Sequence, residues 1–127
     1  MKRDMELVRK VLFAIEEQSD GTDILDLKIE GYDEKTVAYH CKILHDGGLV
    51  MNYEACYADI DYLDSFCVGS LSWEGNEFLD KIRSDTIWNN TKEMIISKGL
   101  PMALDVIKEV ASNFVAMATM GAFNGMM

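Results

Sequence analysis

The sequence predicts an α+β domain, and three observations lead to that class. Val37, Cys41 and Leu44 recur at i, i+4 and i+7, the spacing of one buried face of an α-helix. Gly47-Gly48 follows, and glycine past a helix end takes a left-handed conformation without a Cβ clash. Leu49-Val50-Met51 then opens an extended stretch. A helix of about three turns, a Gly-Gly stop and a strand is how a recognition helix runs into its wing. The class therefore narrows to a winged-helix domain with additional C-terminal helices.

The remaining elements follow in order. From Asp4 to Gln18, Met5, Val8, Leu12 and Ile15 form an apolar stripe with Val11 beside it, so a first helix is expected. Ser19-Asp20-Gly21-Thr22 ends it with turn residues. Alternation from Ile24 to Glu30 predicts a short strand, and Asp26, Lys28 and Glu30 leave little apolar support for the short helix a helix-turn-helix would place here. Asp33 is the expected N-cap of the central helix. Leu49 to Tyr57 and Phe66 to Leu71 read as the wing strands, with Leu49, Met51, Tyr53, Ala55 and Tyr57 on one face. A turn between Asp61 and Tyr62 would set Cys56 opposite Cys67. Ser72 is expected to cap a helix that packs Trp73, Phe78, Leu79 and Ile82 inward. A further helix from Asp85 to Lys98, carrying Ile87, Trp88, Met94 and Ile95, closes at Gly99, and Pro101 fits the first turn of the last helix. The expected organisation is a winged-helix domain over 1–84 and a helical, oligomerising extension over 85–127 within the same compact unit.

At 127 residues, of which 49% are hydrophobic, the chain is long enough for one core and is not expected to be disordered. Cys41, Cys56 and Cys67 form no CxxC pair and leave an odd count, which suits a reducing cytosol. The N-terminus has no secretory pattern, so a cytoplasmic location is expected. The net charge of −10 is unevenly spread. Sixteen acidic residues and only Lys28, Lys35 and Lys42 lie between Glu16 and Asp80. Such a middle is a solvated face, and it also repels polyanions.

Met1-Lys-Arg-Asp-Met-Glu-Leu-Val-Arg9, Ile29-Glu-Gly-Tyr32, Val37-Ala-Tyr-His40 and Gly48-Leu-Val50 follow one another in this order. Leu71-Ser-Trp-Glu-Gly-Asn-Glu-Phe-Leu79 and Asp85-Thr-Ile-Trp88 continue the pattern. In these motifs, from about Lys2 to Leu104, the chain resembles an uncharacterised family of small proteins found in bacteria and their phages and prophages. The resemblance implies a winged-helix fold and a phage-associated role. It carries over no functional residues, and the tail from Val110 onward departs from it.

No constellation for catalysis is present: there is no glycine-rich phosphate loop and no Ser/His/Asp set, so an enzyme is not expected. His40, Cys41 and His45 raise a metal site, but zinc needs three or four convergent ligands. On one helix His40 and Cys41 point about 100° apart, so a packed thiol and partly exposed histidines are expected instead. No metal or cofactor is expected. Cys56 and Cys67 read as reduced, packed thiols.

DNA binding is what the fold suggests, and Lys35, Tyr39 and Lys42 would be its contacts. Phosphate neutralisation by Lys and Arg supplies most of such affinity. The outward positions Asp33, Glu34, Lys35, Ala38, Tyr39, Lys42 and Asp46 nearly cancel, and no basic residue occurs between Lys42 and Lys81. The wing carries Glu54, Asp59, Asp61 and Asp64 instead. Duplex DNA is thus disfavoured, and a DNA-binding transcription regulator is the alternative reading. The preferred expectation is a host or phage protein with a basic surface, engaged by Tyr57, Asp59, Asp61, Tyr62 and Asp64. Its concrete form is inhibition of a host nuclease or defence complex, in the manner of an anti-CRISPR. Tyr53 and Phe66 are further exposed aromatics in this expectation.

In the last helix, Leu104, Ile107, Ala111, Phe114, Ala118 and Gly121 are spaced by three and four, with Val106, Val110 and Met117 as a second stripe. No charge occurs from Val110 to Met127. A homodimer through Leu104, Ile107, Phe114 and Met117 is expected. Membrane insertion, with Gly121 and Gly125 at GxxxG spacing, is the rejected rival, because the uncharged run is short and interrupted by Ser112, Asn113, Thr119 and Asn124.

Overall fold

The computed structural model describes residues 1–125, with side-chain environments as far as Gly121. Among these residues the chain is a mixed α+β protein of five helices and one three-stranded antiparallel sheet, order β1-β3-β2. It divides into two compact units, Met1–Glu77 and Phe78–Met127.

The first unit begins with α1, Met5–Gln18. Asp4 caps it, its Oδ1 accepting the N–H groups of Glu6 at 2.9 Å and Leu7 at 3.4 Å. Those donors would otherwise lack partners in the first turn. The expected stripe is buried in full, and Leu7 joins it. β1 is only Ile24–Leu25, not the strand to Glu30 that alternation predicts. The side chain of Asp26 explains the early stop. Asp26 adopts a φ of 48°, and its Oδ1 accepts the Phe66 N–H at 2.9 Å while its own N–H donates to the Phe66 carbonyl at 2.8 Å. A short polar side chain that tolerates the left-handed region thus completes one rung and turns the chain out of the ladder. No helix follows before α2, Glu34–Asp46, in line with the missing short helix.

α2 starts at its Asp33 cap, whose Oδ1 accepts the Thr36 N–H at 2.8 Å. Hydrogen bonding to Thr36 lowers the Asp33 pKa. Val37, Cys41 and Leu44 are buried as expected, and α2 packs on α1. At the far end Gly47 is still right-handed, and Gly48 takes φ 78°. The Leu49 N–H then reaches back to the Leu44 carbonyl at 2.9 Å, closing the helix.

β2, Tyr53–Asp59, and β3, Tyr62–Val68, form a hairpin with Ile60-Asp61 at its tip. Both strands lie nearer the tip than expected. Leu49–Met51 precedes β2, joined to the chain after β3 by the single Val50↔Leu71 bridge and the Met51 N–H bond to the Ser70 carbonyl at 2.8 Å. The turn also comes earlier than expected, so Cys56 faces Ser65 and Cys67 faces Glu54. Met51 and Tyr57 are exposed, whereas Leu49 is buried, so those five residues do not share one buried face.

α3, Trp73–Ile82, starts in the first unit and ends in the second. Ser72 starts it, its hydroxyl donating to the Gly48 carbonyl at 2.5 Å and accepting the Gly75 N–H at 3.0 Å. Gly75 is needed for close approach, since a Cβ there would collide with the Leu49 carbonyl oxygen. Phe78, Leu79 and Ile82 are buried, but Trp73 is 76% exposed, against expectation. At the first helical position its side chain lies outside the stripe that Phe78 and Ile82 define.

In the second unit α4, Asp85–Ser97, is capped by Ser84, whose Oγ accepts the Ile87 N–H at 3.3 Å. Trp88, Thr91 and Ile95 form its buried face, and Gly99 at φ 66° ends the segment. α5, Leu104–Gly125, packs against α4 and buries Ile107 and Ala111. Pro101 lies ahead of α5, not in its first turn. The Ala103 carbonyl accepts the first helical N–H, from Ile107, at 2.9 Å, so Pro101–Ala103 serve to reverse the chain.

Candidate functional site

The hairpin tip collects all five of the expected partner-binding residues. Asp59 pairs with Tyr62 across the two-residue turn, and the Asp59 Oδ1 accepts the Ile60 N–H at 2.7 Å. The ladder is irregular between Cys56 and Asp59, which increases local twist. Asp59, Asp61 and Asp64 are exposed, Tyr57 is 56% exposed and Tyr62 64% exposed. Ile60 is 91% exposed, the most exposed large apolar side chain of the described residues. Ile60 lies in the two-residue turn, which leaves it no sheet face to pack on.

Two aromatics leave the candidate set. Phe66 is buried, and Tyr53 is half-buried with its ring tilted on Phe66 at 6.2 Å between centroids. They share a face of the hairpin base, Tyr53 opposite Val68 and Ala55 opposite Phe66, and that face packs on α2. Burial pushes the Tyr53 phenol up to about 12, with Tyr57 nearby adding to the effect.

The α2 residues considered for DNA have other engagements. Lys35 Nζ donates to the Asp61 carbonyl at 3.2 Å, tying the hairpin tip to the first turn of α2. Lys42 Nζ lies 3.2 Å from Asp46 Oδ2 as an exposed i, i+4 pair, an interaction worth a few tenths of a kcal/mol. Tyr39 is half-buried, edge-on to His40 with centroids 5.5 Å apart. Ala38, expected to point outward, is buried.

His40 is fully buried, not partly exposed. Its Nε2 accepts the Asp4 N–H at 2.9 Å and its Nδ1 lies 2.8 Å from the Thr36 carbonyl. A backbone N–H can only donate, so Nε2 carries no proton and Nδ1 carries it toward Thr36. The ring is thereby a neutral clasp between α2 and the start of α1. The Tyr32 hydroxyl adds a 3.4 Å bond to Asp4 Oδ2 on the same side. His45 is exposed, and among the described residues no group of three or more His, Cys, Asp or Glu could hold a metal ion.

The three thiols differ in setting. Burial pushes Cys41 up to about 12. Cys67 is raised by burial and then by the charge of Asp23, whose Oδ2 takes its S–H at 3.6 Å and the Asn52 Nδ2–H at 2.7 Å. Cys56 is exposed.

Of the expected dimer residues, Ile107 is fully buried within the chain and cannot face a partner. Leu104 and Phe114 are half-buried, and Met117 is 66% exposed. Gly125 lies outside the residues whose side-chain environment is described, so only the Gly121 half of the GxxxG spacing is visible. Among the described residues no helix is long and apolar enough to cross a membrane.

Comparison with known proteins places this chain in a family. A 117-residue stretch is 39% identical to an "Uncharacterized protein" of Haemophilus influenzae, spanning 91% of this chain and 97% of that protein. No solved structure matches. The family described as "Hypothetical protein (DUF2513)" matches residues 2–101, which leaves α5 outside the matched region. The chain belongs to the DUF2513 family.

Proposed function

We propose that this protein is a non-enzymatic, phage-type winged-helix module that binds a basic surface on another protein through its β2–β3 hairpin. The order α1, β1, α2, β2, β3 supports the winged-helix reading, with α2 in the recognition position and the hairpin as wing. One observation carries the choice of partner. The two lysines of α2 make weak, exposed contacts to the Asp61 carbonyl and to Asp46, and the exposed carboxylates of Asp59, Asp61 and Asp64 outnumber them beside Tyr57, Ile60 and Tyr62. Carboxylates at such a tip steer a cationic partner over a distance of about one Debye length, roughly 8 Å. Exposed aromatic and aliphatic side chains between them supply the short-range anchors that charge alone lacks.

Basic grooves of this kind line the nucleic-acid channels of nucleases and defence complexes. Occupying such a channel with carboxylates in place of phosphates inhibits without catalysis. The second reading, a DNA-binding transcription regulator, draws on the same element order, with Lys35, Tyr39 and Lys42 on α2 as contacts. It requires two lysines to outweigh the exposed carboxylates of Asp59, Asp61 and Asp64 on the hairpin.

The test is capture from nuclease-treated bacterial lysate by wild type and by the triple variant Asp59→Lys, Asp61→Lys, Asp64→Lys. Far-ultraviolet circular dichroism checks that the variant keeps its fold. A basic host protein held by wild type and lost by the variant is the expected result. Capture that survives the triple reversal would remove the hairpin from the proposal.

A further inference from the structure

We infer that a second copy of this chain docks on the α4–α5 face, making the protein a two-fold homodimer independent of its hairpin. The charge distribution singles out that face. Phe78–Met127 holds five acidic and five basic residues, so the whole −10 lies on Met1–Glu77. Two copies meeting through the acidic stretch from Glu16 to Glu77 repel. The second unit carries no net charge, so two copies meet through it without that repulsion.

The surface itself is apolar and recessed. A groove of about 300 Å³ between α4 and α5 is lined by Met94, Lys98, Val110, Asn113, Phe114 and Met117. A shallower hollow of about 470 Å³ shares Met94 and Phe114 with it and is rimmed by polar Asn90, Glu93 and Ser97, so the apolar part of the face is the groove itself. Half-buried Phe114 continues the stripe of buried Ile107 and Ala111, and Val110 and Met117 flank it on one side of that stripe. Met117 and Met120 project at 66% and 65% exposure. Methionine is unbranched and polarizable and fills an irregular apolar groove well.

The occupant must therefore be apolar and nearly uncharged. The part of α5 from Val110 onward is such a segment, since it holds no ionisable side chain. In a two-fold arrangement each copy supplies both knob and groove, with Met117 and Met120 of each against Met94 and Phe114 of the other. A basic protein is drawn to the first unit instead, and a nucleic acid or anionic lipid surface finds no excess positive charge on the second. The face measures roughly 30 Å by 20 Å from helix length and diameter, on the order of 600 Å² per copy. Stable interfaces bury about 800 Å² per partner, so a weak dimer that forms as concentration rises is expected.

The experiment is light scattering behind gel filtration on the full chain, loaded from about 5 to about 200 μM to bracket the dissociation of a weak dimer. Wild type is expected to approach twice its 14.3 kDa mass as concentration rises. Met117→Asp and Met120→Asp, both at exposed positions that leave the fold intact, are each expected to raise the dissociation constant about 30-fold or more. Reversal of Asp59, Asp61 and Asp64 is expected to leave dimerisation in place, which separates this inference from the proposed partner. A wild type that stays at single-chain mass throughout would overturn it. So would either Asp variant dimerising as wild type, or sedimentation of the protein with phosphatidylcholine–phosphatidylglycerol vesicles.

Discussion

His40→Phe tests the buried clasp between α2 and α1. The ring size is nearly kept, so the change removes hydrogen bonding with little cavity. The Asp4 N–H loses its acceptor at a partly buried site, which costs about 1–2 kcal/mol. The bond from Nδ1 to the Thr36 carbonyl contributes roughly 1 kcal/mol more. The expected loss is therefore about 2–3 kcal/mol. With a urea m-value of roughly 1.5 kcal/mol/M, the unfolding midpoint falls by about 1.5–2 M. Circular dichroism in urea measures it, and nitrogen NMR of wild-type His40 should show the proton on Nδ1 and none on Nε2. Unchanged stability of the variant, or a proton on Nε2, would refute the reasoning.

Four further expectations concern other parts of the fold. Iodoacetamide should label exposed Cys56 first and Cys67 more slowly, with Cys41 reacting only on unfolding, as peptide mass spectrometry can read. Cys41 and Tyr53 have folded pKa values raised by burial, so the unfolded chain loses these protons first. Their stabilisation is complete below about pH 9 and is lost as pH rises toward 12; Cys41→Ala should flatten that alkaline decline in urea titrations. Gly75→Ala should cost about 3 kcal/mol by thermal or urea unfolding, because backbone rather than a flexible side chain blocks the new methyl group. Asp26→Asn, which keeps the acceptor for Phe66 N–H and tolerates φ 48°, should be nearly neutral, and Asp26→Ala should cost about 1–2 kcal/mol in the same assay.

Helices were the legible part of this fold. Periodic stripes in α1 and α2 and the caps Asp33 and Ser72 follow from local sequence, because each depends on residues three or four positions apart, whereas Asp4, expected inside the first helix, is its cap. The sheet was harder, since its register depends on long-range bonds. Nothing near Asp26 in the sequence shows that its side chain will take the Phe66 N–H, 40 positions away, and end β1. The turn at Ile60-Asp61 carries no Asn-Gly or Gly-Gly signal, so the pairing of Cys56 slipped from Cys67 to Ser65.

The acidic tip was legible because clustered charge is visible in composition. What it touches was not: the Lys35 bond to the Asp61 carbonyl joins residues 26 apart. His40 misled for a related reason. A histidine beside the apolar stripe looks half-exposed on a helical wheel, and only the packing of α1 on α2 brings the Asp4 N–H to cover it. Trp73 erred in the opposite sense, since composition treats an aromatic at a helix start as core. In α5 the inner stripe of Ile107 and Ala111 was foreseen as apolar, but one continuous uncharged helix gives no sign of which side α4 covers.

Fluorescence anisotropy with a mixed-sequence DNA duplex at low salt tests the central claim, that the hairpin is built for a basic protein and not for nucleic acid. Wild type should show no saturable binding up to about 100 μM, weaker than ordinary non-specific DNA binders. Reversal of Asp59, Asp61 and Asp64 to Lys should create salt-sensitive binding on the same scaffold. Sub-micromolar binding by wild type, falling steeply with added salt, would contradict the claim, since it demands phosphate contacts beside a hairpin whose exposed Asp59, Asp61 and Asp64 repel phosphate.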